Sequence, residues 1–147
     1  MAVYRYMYFL LLIVLDSCQW KGEFYMVNQT IEKKRFFKLD EVAQFDPNQG
    51  KKTIFYETEK TAGAVWCLEP GQEVYKHWHT TSDDLWICIQ GTGTFYPGNG
   101  EEVEITKGDL IISYPGQQHG MKNTGNERFI FVGVAGPQPM DLFLPEG

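Results

Sequence analysis

The stretch Gly71-Gln-Glu-Val-Tyr-Lys-His77-Trp-His79-Thr-Thr-Ser-Asp-Asp84-Leu-Trp-Ile-Cys-Ile-Gln-Gly91 decides how this chain is read. It holds two of the three histidines, and the third stands in Tyr114-Pro-Gly-Gln-Gln-His119. Neutral imidazole is the commonest metal ligand that side chains provide. A chain that places every histidine in two short, turn-flanked segments is read as building a metal site.

Strand geometry sharpens that reading. Residues i and i+2 of a strand point to one face, so His77 and His79 aim the same way and Tyr75 joins them. Lys76 and Trp78 then face oppositely. Asp84 has the wrong parity for an unbroken strand, but Thr80-Thr-Ser-Asp83 is rich in turn-forming side chains and resets the alternation. A second strand from Asp84 would put Asp84, Trp86, Cys88 and Gln90 on the site side. His119 arrives from a distant strand after the turn at Pro115-Gly116. His77, His79, Asp84 and His119 are therefore the candidate ligands.

Working outward, every segment beyond residue 50 is short and β-prone. Strands are expected over 53–57, 63–68, 73–79, 84–90, 92–97, 101–107, 109–114 and 128–135, with turn residues such as Pro97-Gly-Asn-Gly100 and Asn123-Thr-Gly125 between them. The run 101–107 alternates polar and apolar residues, which predicts a half-exposed strand. Arg128-Phe-Ile-Phe-Val-Gly-Val134 is apolar throughout, which predicts burial on both faces. Before these, 33–40 reads as an opening strand, with Asp40 capping a short helix that runs through Phe45. Many short strands at regular spacing predict an all-β sandwich or barrel.

The totals agree. The chain has 147 residues, 43% of them hydrophobic and 15% aromatic, enough for one domain with a sizeable core. A net charge of −6 with no basic stripe argues against nucleic acid as a partner. Cys18, Cys67 and Cys88 form no CxxC pair, so reduced, partly buried thiols are expected rather than a disulfide framework. Residues 1–25 differ from the rest. The apolar run Met7-Tyr-Phe-Leu-Leu-Leu-Ile-Val-Leu15 falls short of the ~18 residues of a spanning helix. It reads as a signal-like segment, an extra packed element or an over-long start before Met26. Asn28-Gln-Thr30 matches a glycosylation sequon by pattern alone.

These residues resemble the two motifs of the cupin superfamily. The first motif, G-x5-H-x-H-x3/4-E-x6-G, reads Gly71, His77, His79, Asp84, Gly91. The second, G-x5-P-x-G-x2-H-x3-N, reads Gly108, Tyr114, Gly116, His119, Asn123. Of the ten fixed positions eight match; Asp84 stands for Glu and Tyr114 for Pro. The resemblance covers about residues 53–137. It implies a double-stranded β-helix, or jelly-roll barrel, occupying 26–147 behind a short N-terminal extension, with core motifs at 71–91 and 108–123. It further implies a divalent metal at the barrel mouth: Fe, Mn, Ni, Zn or Cu. Asp84, one methylene shorter than Glu, either ligates the metal, binds it through water or orients a histidine.

Function follows as expectation. The first reading is a metal-dependent enzyme acting on a small organic molecule, of dioxygenase, decarboxylase, isomerase or lyase type. Tyr75, Tyr96 and Tyr114 are its candidate acid–base groups. The second is a non-catalytic, metal-anchored binding or sensing module, and the third a metal-free structural barrel. Tyr75, Trp86, Tyr96 and Met121 are expected to line the cavity, and Cys88 to be a small wall residue. Trp78 is assigned to a subunit interface, in line with a homodimer. A cytoplasmic protein is expected, with export or lipid anchoring following only if residues 1–25 act as a signal or an anchor.

Overall fold

Along Asp83–Gln90, Asp84, Trp86 and Cys88 are buried while Leu85, Ile87 and Ile89 are only half-buried. That alternation is the signature of a strand with one face on a core. The computed structural model describes residues 33–145, and those from Lys34 onward pack as one unit. One helical turn, α1 (Leu39–Val42), precedes nine strands: β1 (Lys51–Glu57), β2 (Ala62–Leu68), β3 (Glu73–His77), β4 (Asp83–Gln90), β5 (Thr92–Tyr96), β6 (Val103–Thr106), β7 (Leu110–Ser113), β8 (His119–Lys122) and β9 (Phe129–Gly136).

The strands form two antiparallel sheets, one of five strands in the order β1-β2-β9-β4-β7 and one of four in the order β3-β8-β5-β6. Between them lies the core, in which Leu68, Trp86, Met121, Phe129 and Phe131 are almost fully removed from water. This is the jelly-roll architecture expected from the sequence.

The central strand β9 explains why one segment is apolar on both sides. Phe129 and Phe131 point into the core, while Ile130 joins Val65 and Cys67 in a second cluster on the outer face. Val42, Ala43 and Phe45 cover that outer cluster. Arg128 lies over the Phe45 ring at 4.3 Å and pairs with Glu69 at 2.9 Å.

Several expectations need correction. Residues 33–38 form no strand: they leave the open edge of β1 unpaired, and Arg35, Phe36 and Lys38 are exposed, so no buried face drives them onto the sheet. Asp40 sits inside the first turn of α1, and Lys38 takes the N-cap position without a side-chain cap. In β6 only Ile105 is buried, because Val103 lies near the end of a sheet-edge strand and is 43% exposed. Strand β8 was not anticipated. The readings of residues 1–25, Cys18 and the Asn28 sequon lie outside the described residues.

Two motif residues turn out to be structural. Asn123 is buried; its amide donates to the carbonyls of Leu68 (2.9 Å) and Glu127 (2.8 Å), and its oxygen accepts from the Gly125 N–H (3.1 Å). Gly91 turns the chain from β4 to β5 at φ +82°, and a Cβ there would stand 2.6 Å from the Arg128 carbonyl oxygen. Left-handed backbone and a steric clash both oppose a side chain, so Gly91→Ala is expected to cost about 2–3 kcal/mol. Denaturant unfolding checks this; a loss below about 0.5 kcal/mol would contradict the turn geometry.

Candidate metal centre

His77 ends β3 and stands directly opposite His119, the first residue of β8. The register between these strands shifts between Val74 and His77, so Tyr75 and Lys76 together oppose Gly120 alone. This bulge breaks the expected alternation, burying Val74 and His77 while Tyr75 and Lys76 face out. Gly120 makes it possible, because a Cβ there would stand 3.1–3.2 Å from Lys76 atoms. His79 lies beyond the strand end, where its carbonyl accepts the Gly116 N–H at 2.7 Å. Asp84 comes from β4, after the turn that resets parity.

These four residues converge. All are buried, and one ligand atom from each lies within 4.8 Å of the others. Asp84 Oδ2 is 3.5 Å from His119 Nε2 and 3.7 Å from His79 Nε2. Each imidazole is oriented by a main-chain carbonyl at Nδ1: His77 by Tyr75 (2.7 Å), His119 by Gln117 (3.0 Å) and His79 by Asp141. A carbonyl only accepts, so each Nδ1 carries a proton, and in the neutral ring Nε2 is then the nitrogen with the lone pair. The Nε2 atoms of His79 and His119 are buried without a hydrogen-bond partner. Buried polar atoms are rarely left so. A cation at the centre would satisfy both, and three imidazoles with one carboxylate suit several first-row divalent ions.

The charges of the group act on one another. Burial strips solvent from His77 and lowers its pKa to about 4, so the ring is neutral at ordinary pH. Burial would raise Asp84, but the imidazoles of His119 and His79 beside it outweigh burial and hold the carboxyl at about 2. Burial works against the charged form of His79, yet Asp84 and Asp141 overcome it and shift His79 upward. Cys88 is buried with its thiol pushed up to about 11 by burial, which fits an inert wall residue.

A cavity of about 550 Å³ opens above this group. His77, His79, Asp84 and Trp86 line it, Trp66 and Lys52 come from β2 and β1, and Met140, Leu142 and Leu144 from the C-terminal segment. Trp66 stacks on Phe131 at 6.2 Å, and Phe131 packs on Trp86 at 4.9 Å. Trp86 in turn lies 5.2 Å from the His119 ring. An aromatic row thus crosses β2, β9 and β4 toward the centre.

The candidate acid–base groups fare differently. Tyr75 borders the cavity but is 73% exposed. Tyr96 lies away from the cavity, with Lys76 Nζ over its ring at 4.7 Å, because the β3 bulge turns Lys76 toward it. Tyr114 is exposed and its N–H is taken up by Gln117 Oε1 in the turn before β8. Met121 is a core residue rather than a cavity wall. Gln90 is exposed at the end of β4, past a register shift. Trp78, assigned to an interface, is stacked on Phe143 of its own chain at 5.8 Å. Sequence reasoning missed Lys52, Trp66 and the segment around Asp141. Asp141 meets His79 across 62 residues, and no local pattern marks such a contact.

Comparison with known proteins is consistent with this geometry. The family model described as the cupin domain matches residues 64–135. A tetracenomycin polyketide synthase protein, TcmJ, of Streptomyces glaucescens is 33% identical over 134 residues, 85% of each chain. An oxalate-binding protein of Thermotoga maritima is 34% identical over 67 residues; that match spans 46% of this chain and about half, 54%, of the relative. The crystal structure of a conserved protein with a double-stranded β-helix domain from Klebsiella pneumoniae superposes with a TM-score of 0.74 and 35% identity, covering 78% of this chain and 99% of that one.

Proposed function

The chain belongs to the cupin family, and from that premise we propose that His77, His79, Asp84 and His119 hold one divalent cation on which a small organic molecule is bound and transformed. The observation that carries this reading is the pair of buried, partnerless Nε2 atoms on His79 and His119. The reaction classes that fit are those of a dioxygenase, decarboxylase, isomerase or lyase. A bound cation supplies Lewis-acid polarisation of an oxygen donor or, if redox-active, electron transfer. The chain's own part is to keep three imidazoles aimed inward, to balance the cation's charge with Asp84, and to surround the bound molecule with Trp66, Trp86, Met140 and Leu142. Lys52, beside Trp66, places one positive charge on the cavity wall. Exposed Leu110 and Ile112 on the edge strand β7 support a homodimer as part of the same proposal.

A second reading, a metal-anchored binding module without catalysis, is favoured by the position of Tyr96 and Tyr114 outside the cavity. The oxalate-binding relative supports it too.

Metal analysis of protein purified without an affinity tag tests the common ground: about one divalent ion per chain is expected, and less than ~0.1 after reconstitution would end both readings. Asp84→Ala is expected to weaken metal affinity at least ~10-fold while the three imidazoles still bind. Oxygen uptake and product analysis with small carboxylates, thiols and diols then separate the two. Turnover supports the enzyme; saturable binding without turnover supports the module.

A further inference from the structure

His79 differs from the other two histidines in how it is held. His77 and His119 belong to paired strands, but His79 lies past the end of β3. Its ring is fixed instead by the C-terminal segment, 137–145, which runs back beside 78–82. Trp78 and Phe143 exchange main-chain hydrogen bonds of 3.1 and 3.0 Å and stack their rings. Asp141 sits between these ties. Its carboxylate accepts the Thr80 N–H at 2.8 Å and the Thr80 hydroxyl, and its main-chain carbonyl accepts the His79 Nδ1–H. Ser82 Oγ–H closes the far end on the Pro137 carbonyl at 2.6 Å.

We propose that Asp141 is a positioning residue of the metal centre: its side chain clamps Thr80, and the clamp presents its own carbonyl to His79 Nδ1, aiming Nε2 at Asp84 and His119. This inference rests on the reading of the four residues as a metal site. The carbonyl partner comes from the backbone, so it is the clamp, not the carbonyl, that a substitution can remove. The same segment supplies Met140 and Leu142 to the cavity wall. Orientation of one ligand and the shape of the cavity are therefore set by one piece of chain.

The test is cobalt(II) affinity, by chelator competition, together with the visible absorption of the cobalt(II) protein, for wild type, Asp141→Ala, Asp141→Asn and Thr80→Val. Outer partners of metal-bound histidines typically account for 10–100-fold in affinity, so Asp141→Ala is expected to bind about 10–100-fold more weakly, with an altered spectrum. Asp141→Asn keeps an oxygen acceptor for the Thr80 N–H and should stay within about threefold of wild type. Thr80→Val loses only the hydroxyl and should fall between, about 3–10-fold weaker. Asp141→Ala that binds cobalt(II) within twofold of wild type, with the same spectrum, overturns the proposal. If Asp141→Ala does not fold, Thr80→Val decides: wild-type affinity and spectrum there overturn it. Wild-type protein that takes up no cobalt(II) overturns the metal reading itself, a failure distinct from wild-type uptake with an unaffected Asp141→Ala.

Discussion

Changing His119 to alanine is expected to leave a folded protein that no longer retains a divalent cation. Metal content after dialysis should fall from about one per chain to below ~0.1, and affinity by more than about 100-fold, beyond the range typical of an outer partner. The geometry explains the size of the effect. The His119 ring centre is 4.3 Å from that of His77 and 5.3 Å from that of His79, and its Nε2 is the imidazole nitrogen nearer to Asp84 Oδ2. No other histidine, cysteine, aspartate or glutamate among the described residues joins this cluster to replace it. The metal-free protein should lose about 1–3 kcal/mol, because the ring packs on Trp86, its Nδ1–H serves the Gln117 carbonyl and its Nε2 supports buried Asp84, and removal of a partnerless nitrogen offsets only part of this. Elemental analysis and denaturant unfolding of the same samples check both halves. A variant that still carries stoichiometric metal would remove His119 from the ligand set.

The largest loss of stability is expected from Phe131→Ala, about 3–5 kcal/mol. Phe131 is fully buried on β9, the middle strand of the larger sheet. Its ring meets three others, Trp66 at 6.2 Å, Trp86 at 4.9 Å and Phe129 at 5.6 Å. Truncation leaves a cavity bounded by large rings on paired strands, which cannot collapse to fill it. The denaturation midpoint should fall with an unchanged slope. A loss under about 1 kcal/mol would mean that the aromatic row repacks freely.

Much of this was legible in the sequence, for identifiable reasons. Strand β4 follows from alternation, and β9 from its unbroken apolar run, because burial on one or two faces writes directly into residue order. The four candidate ligands follow from motif spacing, and the structure brings all four together. Tyr75 misled because a bulge is a change of register between strands, visible only once β3 and β8 are paired. Strand β8 escaped notice since His119-Gly-Met-Lys122 is four residues with no alternation and a glycine inside. Tyr96 and Tyr114 stand outside the cavity, which only the three-dimensional arrangement of the strands reveals. Asp141 and Trp66 carry no local signature, as their roles arise from contacts with residues far away in the chain.

The aromatic row has an optical consequence. Trp86 is 2% exposed and lies with its ring centre 5.2 Å from His119 and 6.3 Å from His77. An indole so shielded emits at short wavelength, and at that range an ion with unpaired electrons drains its excited state. Trp78, stacked on Phe143, Trp66, at the outer end of the row, and Trp20, which lies outside the described residues, add their own emission. The short-wavelength part of the ultraviolet fluorescence of the unlabelled protein should therefore be quenched when such an ion is added, with Trp86 as the reporter.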